Sequence, residues 1–103
     1  IMSTIKLRAK ESKGVVTVKA IIKHPMETGQ RKNKKTGEKI PAHFIQQVIC
    51  KANNDEVITI NWGPAVSKNP YLTFAYMGFK GDVVELTWED NQGNKDSLEG
   101  EVK

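Results

Sequence analysis

Cysteine is almost missing from this 103-residue chain. Cys50 stands alone, so no disulfide can close within the chain and no zinc site of the usual cysteine spacing can be built. One thiol leaves the redox compartment open. No apolar run approaches the roughly 18 residues of a helical membrane span, and "IMSTIKLRAK" holds no stretch long enough for a secretory signal. Taken alone, that beginning points to a cytoplasmic protein or to a chain already processed. Aromatics make up only 7% of the residues, and no ten-residue window carries an apolar stripe at helical spacing. A glycine-rich phosphate loop, a G-x-S-x-G elbow and an H-E-x-x-H helix are all absent, so the chain is not expected to be an enzyme.

What is present is alternation. "TIKLRAK" sets Ile5, Leu7 and Ala9 against polar neighbours, and "VVTVKAIIK" puts Val16, Val18, Ala20 and Ile22 on one side. "EVITINW", "LTFAYMGF" and "VVELTWED" alternate in the same way, and the tail "DSLEGEV" adds Leu98 and Val102. Period-two patterning rich in β-branched residues predicts half-buried strands. "SKG" at 12–14, "NND" at 53–55, "KGD" at 80–82 and "NQGN" at 91–94 supply the turns between them. The expectation is one all-β domain over residues 1–103, an antiparallel β-sandwich of about seven strands.

The charge is uneven. Of 16 basic and 12 acidic residues, five bases and one acid fall within "RKNKKTGEK" at 31–39, so the 11 bases and 11 acids elsewhere cancel. The net charge of +4 therefore sits in the long polar loop "KHPMETGQRKNKKTGEKIPAHF", which also holds both histidines. Neither period of its own nor apolar content predicts a strand or helix there. His24 and Met26 on a β-sandwich raise a copper-chaperone reading, but Cys50 lies mid-strand, far from the close Cys–His–Met cluster of blue-copper sites. Solvated loop histidines, no metal and no cofactor are expected. The lysines raise a nucleic-acid reading, yet no aromatic is interleaved to stack on bases, and neither nucleic acid nor membrane is expected as a partner. Cys50, between Val48 and Ala52, reads as an inert buried thiol.

One strand breaks the pattern. In "FIQQVICKA", Phe44, Val48, Cys50 and Ala52 point one way while Ile45 and Ile49 point the other. Tyr71, Met77 and Phe79 form a similar surplus on a later strand. The surplus reads either as an imperfect pattern or folded-back loop, or as a protein–protein interface. A second unusual loop, "NWGPAVSKNPYLTF", carries two turn-forming pairs, Gly63-Pro64 and Asn69-Pro70, around a centre of small residues.

"HPMETGQRK", then "GEKIPAHFI", then "GPAVSKNPYLTF" resemble the SoxZ family over nearly the whole chain, although Gln30 stands where an apolar residue is common. The resemblance implies an immunoglobulin-like sandwich that forms a heterodimer with SoxY, whose C-terminal cysteine arm carries sulfur intermediates among other Sox enzymes during thiosulfate oxidation. It implies no sulfur-bearing cysteine on this chain and a periplasmic location reached by co-export with SoxY. The candidate partner-binding residues are then His24, Pro25, Met26, Glu27, Thr28, Gly29 and Arg31 in the first loop. Asn69 and Pro70 in the second loop join them, with the surplus apolar Ile45, Ile49, Tyr71, Met77 and Phe79. "KNKKTGEK" is expected to be a mobile basic tip, Arg31 and its neighbouring lysines a steering charge, and the isolated chain able to form a homodimer through the same face.

Overall fold

In the computed structural model, which describes residues 3–103, the alternating segments become seven strands. They are β1 (Ile5–Ser12), β2 (Val15–Ile22), β3 (Ile45–Ala52), β4 (Asp55–Asn61), β5 (Tyr71–Met77), β6 (Val83–Asp90) and β7 (Lys95–Glu101). Two antiparallel sheets form, with strand orders β1-β2-β5 and β4-β3-β6-β7. The inward parity of the strands is mostly apolar, and burying it against the other sheet is what holds the layers together. At one end Ile22, Ile45, Leu86 and Trp88 interlock; at the other, Val16, Val18, Cys50, Val84 and Val102 do. Leu7 and Phe74 pack against both groups and join them into one core. The tail also ties the sheets, because Glu11 N donates to Lys103 O at 2.9 Å and Lys103 N donates to Ala9 O at 3.1 Å.

The anomaly in β3 has a local cause. Its register with β6 slips between Ile45 and Gln47, a β-bulge that accommodates Gln46 as an extra residue. A one-residue insertion reverses side-chain parity, so Ile45 joins Val48 and Cys50 on the inward face. Ile45 is fully buried, which corrects its placement on the outer side of the strand. Ile49 keeps its outward place and is half-buried between Thr59 and Thr87 on the outer face of the second sheet.

The outer faces carry opposite charge. On the first sheet Lys6, Arg8, Lys10 and Lys19 point outward, and no outward position of its strands is acidic. On the second, Glu56, Glu85, Glu89, Glu99 and Glu101 outnumber Lys51 and Lys95. The 11 and 11 that cancel along the chain are thus separated in space. The expectation that imbalance is confined to the loop holds for the sequence count and fails for the surface.

The loop between β2 and β3 folds back on itself through two isolated bridges, Glu27 with His43 and Lys32 with Lys39. Its tip is a closed turn: Asn33 N donates to Glu38 O at 2.8 Å, and Asn33 Oδ1 accepts from Lys35 N at 2.8 Å. The radius of gyration, 15.6 Å, exceeds the roughly 13 Å of a compact chain of this length. The long axis of 53 Å is about twice an eight-residue strand, so the loops provide the elongation.

Truncating Ile45→Ala is expected to lower stability by about 2–5 kcal/mol in urea unfolding, through lost burial and a cavity. Met77→Ala, at an exposed position, is expected to change it by no more than about 0.5 kcal/mol. Equal effects would return Ile45 to the surface.

Candidate functional site

The inward parity of β2 continues past its last residue, so His24 and Met26 follow Ile22 into the core. The parity of β6 runs Val84, Leu86, Trp88, Asp90, and it delivers a carboxylate to the same end. Asp90 Oδ2 accepts from His24 Nε2 at 2.9 Å, His43 Nε2 at 2.7 Å and Asn94 Nδ2 at 3.1 Å. Its Oδ1 accepts the backbone N–H groups of Gln92 at 3.0 Å and Asn94 at 2.9 Å. Burial, the largest single influence, favours the neutral acid. The hydrogen bonds from His24, Asn94 and His43 together outweigh it and hold the carboxyl well below the usual carboxylate range.

The tautomer of His24 follows from its other nitrogen. Nδ1 lies 3.1 Å from the Met26 backbone N–H, which can only donate, so Nδ1 is the acceptor and Nε2 carries the proton. His24 Nε2, His43 Nε2 and an Asp90 oxygen lie within 4.8 Å of one another, the composition of a two-histidine, one-carboxylate metal site. A protonated Nε2 has no lone pair to give, however, and the trio in this arrangement is joined by protons. Met26 is buried too, its sulfur 3.4 Å from Ile45 N. The expectation of solvated histidines is therefore corrected for His24, which is 3% exposed, and both donors of the copper reading are engaged internally. His43 is half-buried, with its ring edge-on to His24 at 4.5 Å.

Around this cluster the two unusual loops meet. Asn69 N donates to His24 O at 2.9 Å, and Asn69 Oδ1 accepts from His24 N at 3.0 Å. Asn69 adopts a left-handed φ of 52°, tolerable for asparagine, and Pro70, which is buried, accepts Ile22 N at 3.0 Å. In the first loop Pro25 and Thr28 are exposed, and Thr28 Oγ1 accepts Gln30 N at 3.1 Å. Gly29 has φ 87°, and a Cβ there would sit 3.1 Å from Ala42 Cβ, so the position demands glycine. Arg31 clasps Glu27 with both a 3.0 Å Nε–Oε1 bond and an Nη2–Oε2 bond. That pairing lowers the Glu27 pKa and leaves Arg31 a poorer steering charge than a free cation.

The surplus apolar residues divide. Tyr71, Met77 and Phe79 are 57%, 85% and 75% exposed along β5 and the turn after it. Ile21 stands beside Tyr71 and Val15 beside Met77, both also exposed, so the apolar strip spans β2 and β5. β5 is the end strand of its sheet, and its second edge has no partner strand among the described residues. Phe79 is exposed on a backbone that is held in place: Asp82 Oδ2 accepts Phe79 N at 3.0 Å and Tyr76 Oη at 3.1 Å. Gly78 between them has no room for a side chain, since a Cβ would lie 2.5 Å from the Tyr76 ring. Ile49 lies on the opposite sheet, so the structure does not bring it to this strip.

Asp90, Asn91 and Asn94 escaped the sequence reading, which took "NQGN" for turn chemistry alone. Asn91 Oδ1 accepts Phe44 N at 2.8 Å, and Asn91 Nδ2 donates to Ala42 O at 3.0 Å, so this turn clamps the returning leg of the long loop. A carboxylate on the parity of Val84, Leu86 and Trp88 was the available signal. Cys50 is fully buried, as expected, and burial pushes its thiol up to about 12.

Two outcomes follow from these groups. A carboxyl depressed in the folded state contributes stability that is fully present above about pH 4 and is lost as pH falls through the folded-state pKa. Asp90→Asn is expected to cost about 2–4 kcal/mol at neutral pH and to make the acid limb of urea midpoints between pH 2 and 7 shallower; an unchanged limb would contradict the assignment. Native Cys50 is expected to resist iodoacetamide at pH 8 until denaturant unfolds the chain, as mass spectrometry would read.

A family model described as sulphur oxidation protein SoxZ matches residues 5–101. No curated protein matches the chain.

Proposed function

The chain belongs to the SoxZ family, and from that premise we propose that it is the non-catalytic subunit of a SoxYZ-type sulfur carrier. In this reading the two sheets form an immunoglobulin-like sandwich that binds SoxY and helps present its cysteine-bound sulfur intermediates to other Sox enzymes. The complex works in the periplasm after co-export with SoxY. The observation that carries the reading is the apolar strip along β5, with Tyr71, Met77 and Phe79 exposed on a strand whose outer edge is open. An isolated globular domain gains nothing from leaving a phenylalanine, a methionine and a tyrosine in water along one strand, whereas a permanent partner covers them. Obligate interfaces commonly exceed about 2,000 Å², so the partner would extend from this strip across neighbouring parts of the first sheet. The Asp82 clamp on the Phe79 backbone fixes the turn from which that side chain projects.

The surrounding charge supports the choice of face. Lys6, Arg8, Lys10 and Lys19 flank the strip without an acidic neighbour, which suits a partner of opposite sign and would speed encounter. Cys50 supports the non-catalytic role, because the one thiol of this chain is sealed between the sheets.

Co-expression tests the reading. The wild-type chain is expected to co-purify with a SoxY-type protein at one-to-one stoichiometry. The double variant Met77→Asp/Phe79→Asp is expected to fold, judged by an unchanged circular dichroism spectrum, and to lose the partner. Failure of the wild type to co-purify would overturn the carrier reading, and retention of the partner by the folded double variant would overturn the assignment of this face.

A further inference from the structure

Beside the upper end of the apolar strip lies an open groove of about 940 Å³, between the start of β1, the segment just past β2 and the Lys68–Asn69 turn. Lys6, Lys23 and Lys68 line it, no acidic residue does, and its apolar floor includes Ile21 and Pro25. None of the three lysines has an ion-pair partner among the described residues. An anion entering this concavity would meet three counter-charges and no lining carboxylate.

The backbone under these side chains is fixed from three directions. Lys6 lies in the β1–β2 ladder opposite Ile21, and Lys23 N donates to Thr4 O at 2.7 Å. Lys68 precedes Asn69, which is pinned to His24 by two hydrogen bonds. With Oδ1 committed to His24 N, the Asn69 amide leaves Nδ2 as a neutral donor with no acceptor among the described residues. Nearby polar groups do not satisfy the lysines. Ser3 and Thr4 spend their hydroxyl protons on Asp96, which is thereby occupied. Glu27, which lies within electrostatic range of Lys68, is held by Arg31.

We propose that this groove binds the sulfonate group of a sulfur oxyanion, with Lys6, Lys23 and Lys68 as its counter-charges. Ammonium groups act as point charges that suit a tetrahedral oxyanion approached from several sides, and no fork geometry is required. The apolar floor suits an anion carried on an organic stem. The choice of sulfur rests on the carrier reading above; the anion preference rests on the groove alone. Ile21 is common to the groove and the strip, so a partner docked along β5 could extend a chain end into it. These three lysines lie outside the basic loop tip, to which the sequence assigns a steering role through Arg31 and its neighbouring lysines.

Amide-shift NMR titration of the isolated chain tests the site without any partner. The probes are a short peptide containing S-sulfocysteine, the same peptide with free cysteine, and inorganic thiosulfate. The S-sulfocysteine peptide is expected to shift the Lys6, Lys23 and Asn69 amides. Lys23→Ala and Lys68→Ala are each expected to weaken it about threefold, and Lys34→Ala at the loop tip to leave it unchanged. Thiosulfate binding as tightly as the peptide would identify a free oxyanion as the source, and tighter peptide binding a covalently carried one. Absence of shifts with every sulfur anion, equal binding of the free-cysteine peptide, or equal weakening by Lys34→Ala would overturn the proposal. A failed co-purification with SoxY would overturn only the carrier reading.

Discussion

A carboxylate at the end of an apolar core survives as an ion only when enough donors converge on it. Asp90 has five: two from histidines distant in sequence, and two backbone amides and one carboxamide from its own turn. Each donor also belongs to a loop that must be somewhere definite. His24 brings the exit of β2, His43 the return of the long loop, and Asn94 the β6–β7 turn. The cost of burying the charge is what makes the arrangement specific: moving any one loop would leave the carboxylate short of a partner. Asn69 then attaches the second loop to His24 through paired hydrogen bonds, so the position of the lysine groove depends at one remove on Asp90.

The same end of the molecule shows a division of labour between inside and outside. Side chains that look functional from sequence, His24 and Met26 above all, are turned inward and hold the frame. The surface left available is made of ordinary lysines and apolar side chains on β1, β2 and β5. Because the two sheets carry opposite charge on their outer faces, an approaching partner meets an oriented molecule. The strip and the groove are parts of one basic face.

The strands were legible because their signal is local. Val16, Val18, Ala20 and Ile22, or Val84, Leu86 and Trp88, state their inward side at every second residue, and the four turn clusters fall between strands as expected. Ile45 was misread because a single bulge at Gln46 reverses parity, and no composition marks it. The histidine cluster was missed for a different reason. His24 and Asp90 are the next inward positions on the parity of β2 and β6, but a polar residue that ends an apolar alternation reads as the start of a loop. The groove was beyond reach, since Lys6, Lys23 and Lys68 meet only after the sheet and both loops are assembled.

Cys50 has a consequence for any complex in which sulfur travels by covalent attachment. Burial pushes this thiol's pKa far above its usual range, so it stays protonated at neutral pH, and it is also out of solvent. Thiol exchange needs an accessible thiolate. A scaffold with a reactive cysteine beside a sulfur-loaded arm would compete for the load and form a dead-end persulfide or mixed disulfide. Val48 and Ala52 flank this thiol on the inward side of β3, and burial there keeps it out of thiol exchange for as long as the chain is folded.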